Sequence, residues 1–159
     1  MLQYIWKVGK KMKIGIANDH RAYNTKEELK SLLDDYDITD YGCFSSDMVD
    51  YPEYAFKLSN AVIKKEVDLG IVMCGTGIGV SIACNKVRGI RCAKIDNMQE
   101  AQSAKEHNNA NILAFSATSH TASQIKEMIE KFINSTFNLE PRYKIRIEQV
   151  EKYEETNEY

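Results

Sequence analysis

Short apolar runs alternate with amphipathic stretches along the chain. Five of the apolar runs are typical of buried β-strands, and they cover residues 13–17, 37–42, 68–74, 89–95 and 110–115. Six stretches in which apolar residues recur every three or four positions predict helices, at residues 23–36, 53–66, 78–86, 98–107, 123–134 and 142–155. Because strands and helices alternate, the pattern predicts an α/β fold in which helices cover both faces of a parallel sheet, followed by a C-terminal helix.

The predicted sheet also indicates where a ligand would bind. In open parallel sheets, ligands bind in the crevice outside the carboxyl ends of the strands. The first predicted strand is followed by Asp19 and His20, the third ends at Cys74, and the helix after the fourth ends at His107. We expect the first and third strands to be neighbours, and a carboxylate, an imidazole and a thiol could then share one crevice.

Charge and cysteine usage exclude several classes of protein. The 159 residues suffice for one domain with its own core, and the formal net charge of −2 gives no indication of a nucleic-acid or anionic-membrane partner. No apolar run approaches the roughly 20 residues that a membrane helix needs. The four cysteines form no CxxC pair and no zinc-binding pattern with the three histidines, which favours a reduced, cytoplasmic protein.

One domain is expected, with a short segment on either side. Met12 opens the first predicted strand, so residues 1–11 are interpreted as an N-terminal extension and residues 12–152 as the domain. The acidic residues 153–159 are expected to form a tail that frays into the solvent.

Three glycines follow the third predicted strand. Gly75, Gly77 and Gly79 leave backbone N–H groups uncovered just before a predicted helix, which favours the binding of an anion. A dinucleotide-binding loop would need G-x-G-x-x-G, and Val80 stands where the third glycine belongs if the motif starts at Gly75. Asp96 does lie about 20 residues further on, as that motif asks, so the alternative stays open. A P-loop is excluded because no Gly-Lys-Ser/Thr follows the glycines.

The cysteine beside these glycines differs from the other three. A helix N-terminus and an anion-binding loop favour the thiolate form, so Cys74 is a candidate nucleophile or base. Cys84 and Cys92 lie in apolar stretches and are expected to be small buried hydrophobic residues, and Cys43 is expected to be a loop residue without a role.

The remaining polar candidates each have a structural alternative. Asp19 can cap the first helix, and His20 and His107 can be capping or packing residues. Arg142 and Arg146 stand four apart on one predicted helix, where they can clamp a phosphate or form a solvated basic face.

Several segments, taken together and in this order, resemble one family, ribose-5-phosphate isomerase type B. They are "NDH" at 18–20, "VDYP" at 49–52, "CGTGIG" at 74–79, "NKVRGIR" at 85–91, "HNNANILAF" at 107–115 and the paired arginines near the end. The resemblance runs from Met12 to about Val150. It implies a Rossmann-like three-layer α/β/α sandwich with a five-stranded parallel sheet, a homodimer or tetramer whose active sites are shared between subunits, and neither metal nor cofactor.

The resemblance also implies a reaction and a role for each candidate. Ribose 5-phosphate and ribulose 5-phosphate would interconvert through a cis-enediolate, with Cys74 taking the proton from C2 and the loop Gly75–Gly79 holding the negative oxygen. His107 would open the sugar ring, reaching across the subunit interface, and Asp19 would aid it. Thr76 would take part in catalysis through a hydrogen bond from its hydroxyl. The substrate contacts implied, besides the loop glycines, are Asp19, His20, Tyr51, Thr76, Ile78, Asn108, Arg142 and Arg146.

Two positions depart from the family's pattern. Thr118 stands where the family usually carries an arginine that binds phosphate, and Tyr143 stands between the paired arginines where a histidine often sits. Either Arg21 substitutes for the missing arginine, or phosphate binding is weaker, or the preferred substrate differs.

Two other functions compete with this interpretation. The first is isomerisation of a six-carbon sugar phosphate, allose 6-phosphate or galactose 6-phosphate. Subunits of the galactose enzyme tend to divide the thiol and the histidine between them, whereas this chain has both Cys74 and His107. The second is a non-catalytic module that binds a nucleotide or phosphate, for which an activated thiol would have no use.

Overall fold

The computed structural model describes residues 10–158, and so residues 1–9 of the predicted N-terminal extension lie outside the described residues. The strands are β1 (Lys13–Asn18), β2 (Asp37–Asp40), β3 (Leu69–Cys74), β4 (Cys92–Lys94) and β5 (Ile112–Ser116). The helices are α1 (Tyr23–Leu32), α2 (Tyr51–Ile63), α3 (Ile78–Cys84), α4 (Met98–Glu106), α5 (Ala122–Ile133) and α6 (Pro141–Thr156). A 3₁₀ turn, His20–Ala22, joins β1 to α1.

The strands form one parallel sheet in the order β2-β1-β3-β5-β4. The predicted α/β sandwich with a five-stranded parallel sheet is therefore confirmed. The first and third strands are neighbours, as expected, with Asn18 opposite Met73. Cys74 lies opposite Ser116, so the carboxyl ends of β1, β3 and β5 meet at one edge.

Alternating side chains divide the core into two layers. On one face, Ile71 and Met73 pack against α1, α4 and α5. On the other face, Val72 and Cys74 pack against α2 and α3. Gly70 lets α2 approach this face, since a Cβ there would lie 2.9 Å from Ile112 Cγ1 and 3.2 Å from Val62 Cγ2. The alternation thus directs the Cys74 side chain toward the layer in which α3 begins.

Strand β4 is shorter than the run of residues 89–95 that the sequence predicts. The side chain of Asn111 donates to the Gly89 carbonyl oxygen at 2.8 Å and accepts from the Arg91 N–H at 2.8 Å. They stand beside the backbone bonds from the Asn111 and Ile112 N–H groups to the Arg91 carbonyl oxygen, and the regular strand begins at Cys92. Helix α1 likewise ends at Leu32, and residues 33–36 form a turn that leads into β2.

Helix α6 continues to Thr156, beyond the point at which the acidic tail was expected to begin. Glu154 accepts a hydrogen bond from the Gly89 N–H at 3.0 Å, and Glu151 pairs with Arg91 at 3.0 Å. These contacts attach the end of α6 to the loop before β4, so the expected fraying does not apply to residues 153–156. Within residues 10–158, no helix combines the length and the apolar character needed to cross a bilayer.

Candidate active site

The first group of candidate residues follows β1. Asp19 is buried, and its Oδ1 accepts from the N–H groups of Arg21 at 2.9 Å and Ala22 at 3.3 Å, so it does cap the 3₁₀ turn. The Val49 N–H donates to His20 Nδ1 at 3.3 Å. The Val49 carbonyl oxygen also lies 3.2 Å from the same nitrogen, so Nδ1 contacts both backbone groups of Val49. Both side chains are therefore held in one orientation at the carboxyl end of the sheet.

The second group is the turn that joins β3 to α3. The Cys74 side chain is only 5% exposed, and its Sγ accepts from the Gly77 N–H at 3.1 Å. Gly77 adopts a left-handed conformation with φ 75° and ψ −10°. A Cβ at this position would lie 2.9 Å from the carbonyl carbon of Phe115. Glycine is therefore required to aim this N–H at the sulfur.

The same turn presents further backbone donors beside the thiol. Among residues 10–158, the N–H groups of Gly75 and Thr76 donate to no backbone or side-chain acceptor. Thr76 Oγ1 accepts from the Ile78 N–H at 3.2 Å, which orients the hydroxyl. The ring of Tyr51 covers Gly79, where a Cβ would lie 2.8 Å from Tyr51 Cζ. We call residues 74–79 the thiol turn; its chemistry suits a negative charge that develops next to Cys74.

A cleft of about 490 Å³ adjoins the thiol turn. It is lined by Gly75, Thr76, Ile78, Lys94, Asp96, Ser116, Thr118, Ser119 and His120. Lys94 and His120 both contact the Asp96 carboxylate, and the hydrogen bond from Lys94 above all holds the pKa of Asp96 below its usual range. His120 is not among the residues that the family resemblance implies. Its place just after β5, at the carboxyl edge, is the sequence signal that points to this cleft.

A third group lies at a second cleft of about 740 Å³. The His107 ring stacks on Tyr143 with centroids 4.7 Å apart, and Asn108 and Arg146 line the same cleft. Arg142 donates to the Tyr143 hydroxyl at 3.1 Å and pairs with Glu140 at 2.9 Å. Helix α6 thus places Arg146 in the same cleft as the predicted ring-opening histidine, and Arg142 on the tyrosine that stacks on that histidine.

The thiol turn and the second cleft lie at opposite edges of the sheet. In a parallel sheet, each helix returns the chain to the amino edge. Cys74 ends β3, whereas His107 and Asn108 come between α4 and β5 and precede the first residue of that strand. The five residues of β5 alone extend over about 17 Å at roughly 3.3 Å each. Within a single chain, His107 and Cys74 therefore do not share one crevice, and the role of His107 across a subunit interface, which the family resemblance implied, stays a prediction.

The cysteines outside the thiol turn have structural environments. Cys84 is fully buried, as expected, while Cys92 is partly exposed. Cys43 is buried in the loop after β2, and burial raises the pKa of its thiol. In the part of the chain that the structure describes, no three His, Cys, Asp or Glu side chains are placed to hold a metal ion.

Comparison with known proteins gives close relatives over nearly the whole chain. Residues 14–150 match the family model described as ribose/galactose isomerase. A Bacillus subtilis protein named as a candidate sugar phosphate isomerase is 41% identical over 149 residues, covering 92% of this chain and 99% of that protein. Ribose-5-phosphate isomerase B of Escherichia coli is 34% identical over 145 residues, covering 90% and 97%. The structure of Clostridium thermocellum ribose-5-phosphate isomerase B is similar with a TM-score of 0.88 at 38% identity, covering 92% of this chain and 100% of that one.

Proposed function

Because the chain belongs to the ribose/galactose isomerase family and is a sugar-phosphate isomerase, we propose that it interconverts ribose 5-phosphate and ribulose 5-phosphate. One observation above all supports a proton-transfer reaction here. The nearly buried Cys74 thiol accepts a hydrogen bond from the Gly77 N–H at 3.1 Å. The N–H groups of Gly75 and Thr76, which follow Cys74 in sequence, have no acceptor among the described residues. A module that only binds phosphate has no use for the sulfur in this place.

The thiol turn supplies a base and an oxyanion site together. Cys74, as thiolate, takes the proton from C2, and the electron pair of that bond becomes the C1–C2 double bond of a cis-enediolate. The negative charge moves to O1, where the N–H groups of Gly75 and Thr76 and the Thr76 hydroxyl can stabilise it. Return of the C2 proton to C1 and transfer of the O2 proton to O1 give the ketose, with its carbonyl at C2 and a hydroxyl at C1. The thiol lies next to the oxyanion site because proton abstraction by the thiolate creates the negative charge on O1 that this site stabilises.

The residues after β1 orient the sugar. Asp19 is buried and fixed by its two backbone donors, so its second carboxylate oxygen is presented to a sugar hydroxyl in one direction. His20 is tied to the Val49 backbone through Nδ1, which leaves Nε2 to contact a sugar hydroxyl. Tyr51 covers the far side of the thiol turn and limits the pocket there.

The complete site is assembled from two copies of the chain. His107, Asn108, Arg142 and Arg146 lie at the opposite sheet edge from Cys74, so they serve the thiol turn of a second copy. In support, α6 has no buried residue, and Ile145, Val150 and Tyr153 on it are each about half exposed. In this arrangement, one subunit supplies the base and the oxyanion site. The other supplies the ring-opening acid and the phosphate clamp.

Turnover of ribose 5-phosphate and of allose 6-phosphate, by the wild type and by Cys74→Ala, tests the proposal. We expect the wild type to turn over ribose 5-phosphate and Cys74→Ala to be inactive with an unchanged fold by circular dichroism. Cys84→Ala is the matched control, because Cys84 is an equally buried thiol away from the turn. A higher kcat/KM for allose 6-phosphate would assign the six-carbon substrate instead. An active Cys74→Ala would refute the thiol as base.

A further inference from the structure

Arg21, in the 3₁₀ turn, reaches across to the thiol turn. Its guanidinium lies against Gly75, where an added Cβ would be 2.3 Å from Arg21 Cζ. Its Nη2 lies 3.5 Å from the Thr118 hydroxyl oxygen, 97 positions away in sequence. The Thr118 N–H in turn donates to the Gly75 carbonyl oxygen at 3.1 Å. Arg21, Gly75 and Thr118 therefore form one cluster beside the nearly buried thiol, which we call the Arg21 cluster.

The charge of Arg21 is available to a ligand. The two other cationic candidates in the adjoining cleft, Lys94 and His120, are both engaged by Asp96. Among the described residues, the Arg21 guanidinium forms no ion pair, and its long contact with Thr118 leaves nearly all of its N–H donors free. An arginine with free donors at a crevice is suited to bidentate binding of a phosphate.

The position of Arg21 is also fixed before any ligand binds. Asp19 Oδ1 accepts the backbone N–H of Arg21 itself at 2.9 Å, which holds the first residues of the turn. The side chain then lies over a glycine, the one residue type that leaves room for it. This preorganisation reduces the entropy that phosphate binding would otherwise cost.

We propose that Arg21 binds the phosphate group of the substrate and does so in the space beside Thr118. The inference rests on the proposed function, because it assigns one end of that substrate to a residue of the subunit that carries the thiol. The Thr118 hydroxyl and the free N–H of Gly75 add neutral donors on the same side. Arg21 is a substrate-binding residue in this proposal and takes no part in proton transfer.

Binding of inorganic phosphate by isothermal titration calorimetry is the first test, because it does not depend on turnover. Arg21→Met keeps a long side chain over Gly75 and removes the charge. We expect it to weaken phosphate binding about 10- to 100-fold, the usual effect of losing a charge-assisted hydrogen bond. Lys126→Met is the control for loss of a surface cation, since Lys126 pairs with Glu130 on α5, and it should bind phosphate as the wild type does.

A rescue variant separates binding from a structural role. Thr118→Arg, added to Arg21→Met, brings a guanidinium into the same space from the turn after β5, and we expect it to restore most of the phosphate affinity. The kinetics should agree, with a KM for ribose 5-phosphate that rises about 10-fold or more in Arg21→Met and a kcat that changes much less. If Arg21→Met weakened phosphate binding only by destabilising the fold, the added Thr118→Arg would not restore the affinity.

The outcomes distinguish this proposal from the proposed function. Unchanged phosphate affinity in Arg21→Met overturns the assignment of Arg21, whatever the activity of the wild type. Weakened affinity that Thr118→Arg restores supports it, even if the wild type turns over neither sugar phosphate. Weakened affinity with a matching loss of thermal stability and no rescue overturns it in favour of a structural role.

Discussion

Replacing Gly77 by alanine tests whether the backbone of the thiol turn stabilises the transition state. Gly77 has φ 75°, a conformation that costs an L-residue about 1–2 kcal/mol. The new Cβ would also lie 2.9 Å from the carbonyl carbon and 3.0 Å from the carbonyl oxygen of Phe115. Both are backbone atoms of β5, so the turn must shift by about half an ångström to restore an ordinary contact. We expect a total loss of about 2–4 kcal/mol of folding stability.

Gly89→Ala is the matched control. Gly89 has a similar φ of 82°, but its added Cβ would meet only Ile63 Cδ1, the flexible end of a side chain. Gly89→Ala should therefore lower the folding stability by about 1–2 kcal/mol, from the backbone conformation alone. The two variants share the conformational cost and differ in whether the thiol turn moves.

The expected effect on catalysis follows from the displacement. The Gly77 N–H holds the Cys74 sulfur at 3.1 Å, and the donors for the oxyanion belong to the same turn. A shift of this size should lower kcat about 10- to 100-fold, since losing one oxyanion donor costs about 100-fold or more. Urea unfolding followed by circular dichroism gives the stability, and formation of the ketose gives kcat. A Gly77→Ala enzyme that is destabilised but turns over as fast as Gly89→Ala would refute the role of the turn.

Three further predictions follow from the geometry. Arg142→Ala should raise KM for the sugar phosphate about 10-fold and change kcat little, because a phosphate clamp acts equally in ground and transition states; a fall in kcat alone would exclude that role. Mixing inactive Cys74→Ala and His107→Ala under subunit exchange should restore about a quarter of wild-type turnover, because half of the dimers are mixed and each has one intact site. No recovery would mean that each site is built within one chain. Stability should fall as pH drops below about 4, since the pKa of Asp40 is lowered, and the urea midpoints of wild type and Asp40→Asn should converge there.

The sign of the pH effect comes from the surroundings of Asp40. Burial opposes its charged form, but hydrogen bonds from Lys30, the Gly42 N–H and Lys26 outweigh burial and hold the pKa of the carboxyl below its ordinary value. A carboxyl with a lowered pKa in the folded state stabilises the fold above its unfolded pKa. That contribution is lost as the pH falls through the folded value. Midpoints that stay equally far apart from pH 7 to pH 3 would contradict this account.

The sheet and the thiol turn could be predicted from the sequence because they depend on local patterns. Apolar runs of strand length and amphipathic runs of helix length indicate the parallel sheet, and glycines directly after Cys74 indicate the turn. The short β4 could not be predicted in this way, because the side chain of Asn111 binds the backbone of Gly89 and Arg91 before the regular strand begins. The contact between Arg21 and Thr118 could not be predicted from local patterns either, since it depends on the register of β1, β3 and β5 together.

The placement of His107 was within reach of sequence reasoning, since topology alone decides it. Residues that follow a strand lie at the carboxyl edge of a parallel sheet, and residues that follow a crossover helix lie at the amino edge. Cys74 belongs to the first kind and His107 to the second, so no arrangement of this fold brings them together in one chain. An enzyme that needs both must bring the amino edge of one copy to the carboxyl edge of another. For the proposed two-copy site, association of subunits is then a condition of catalysis, and we expect dilution that separates the subunits to abolish turnover.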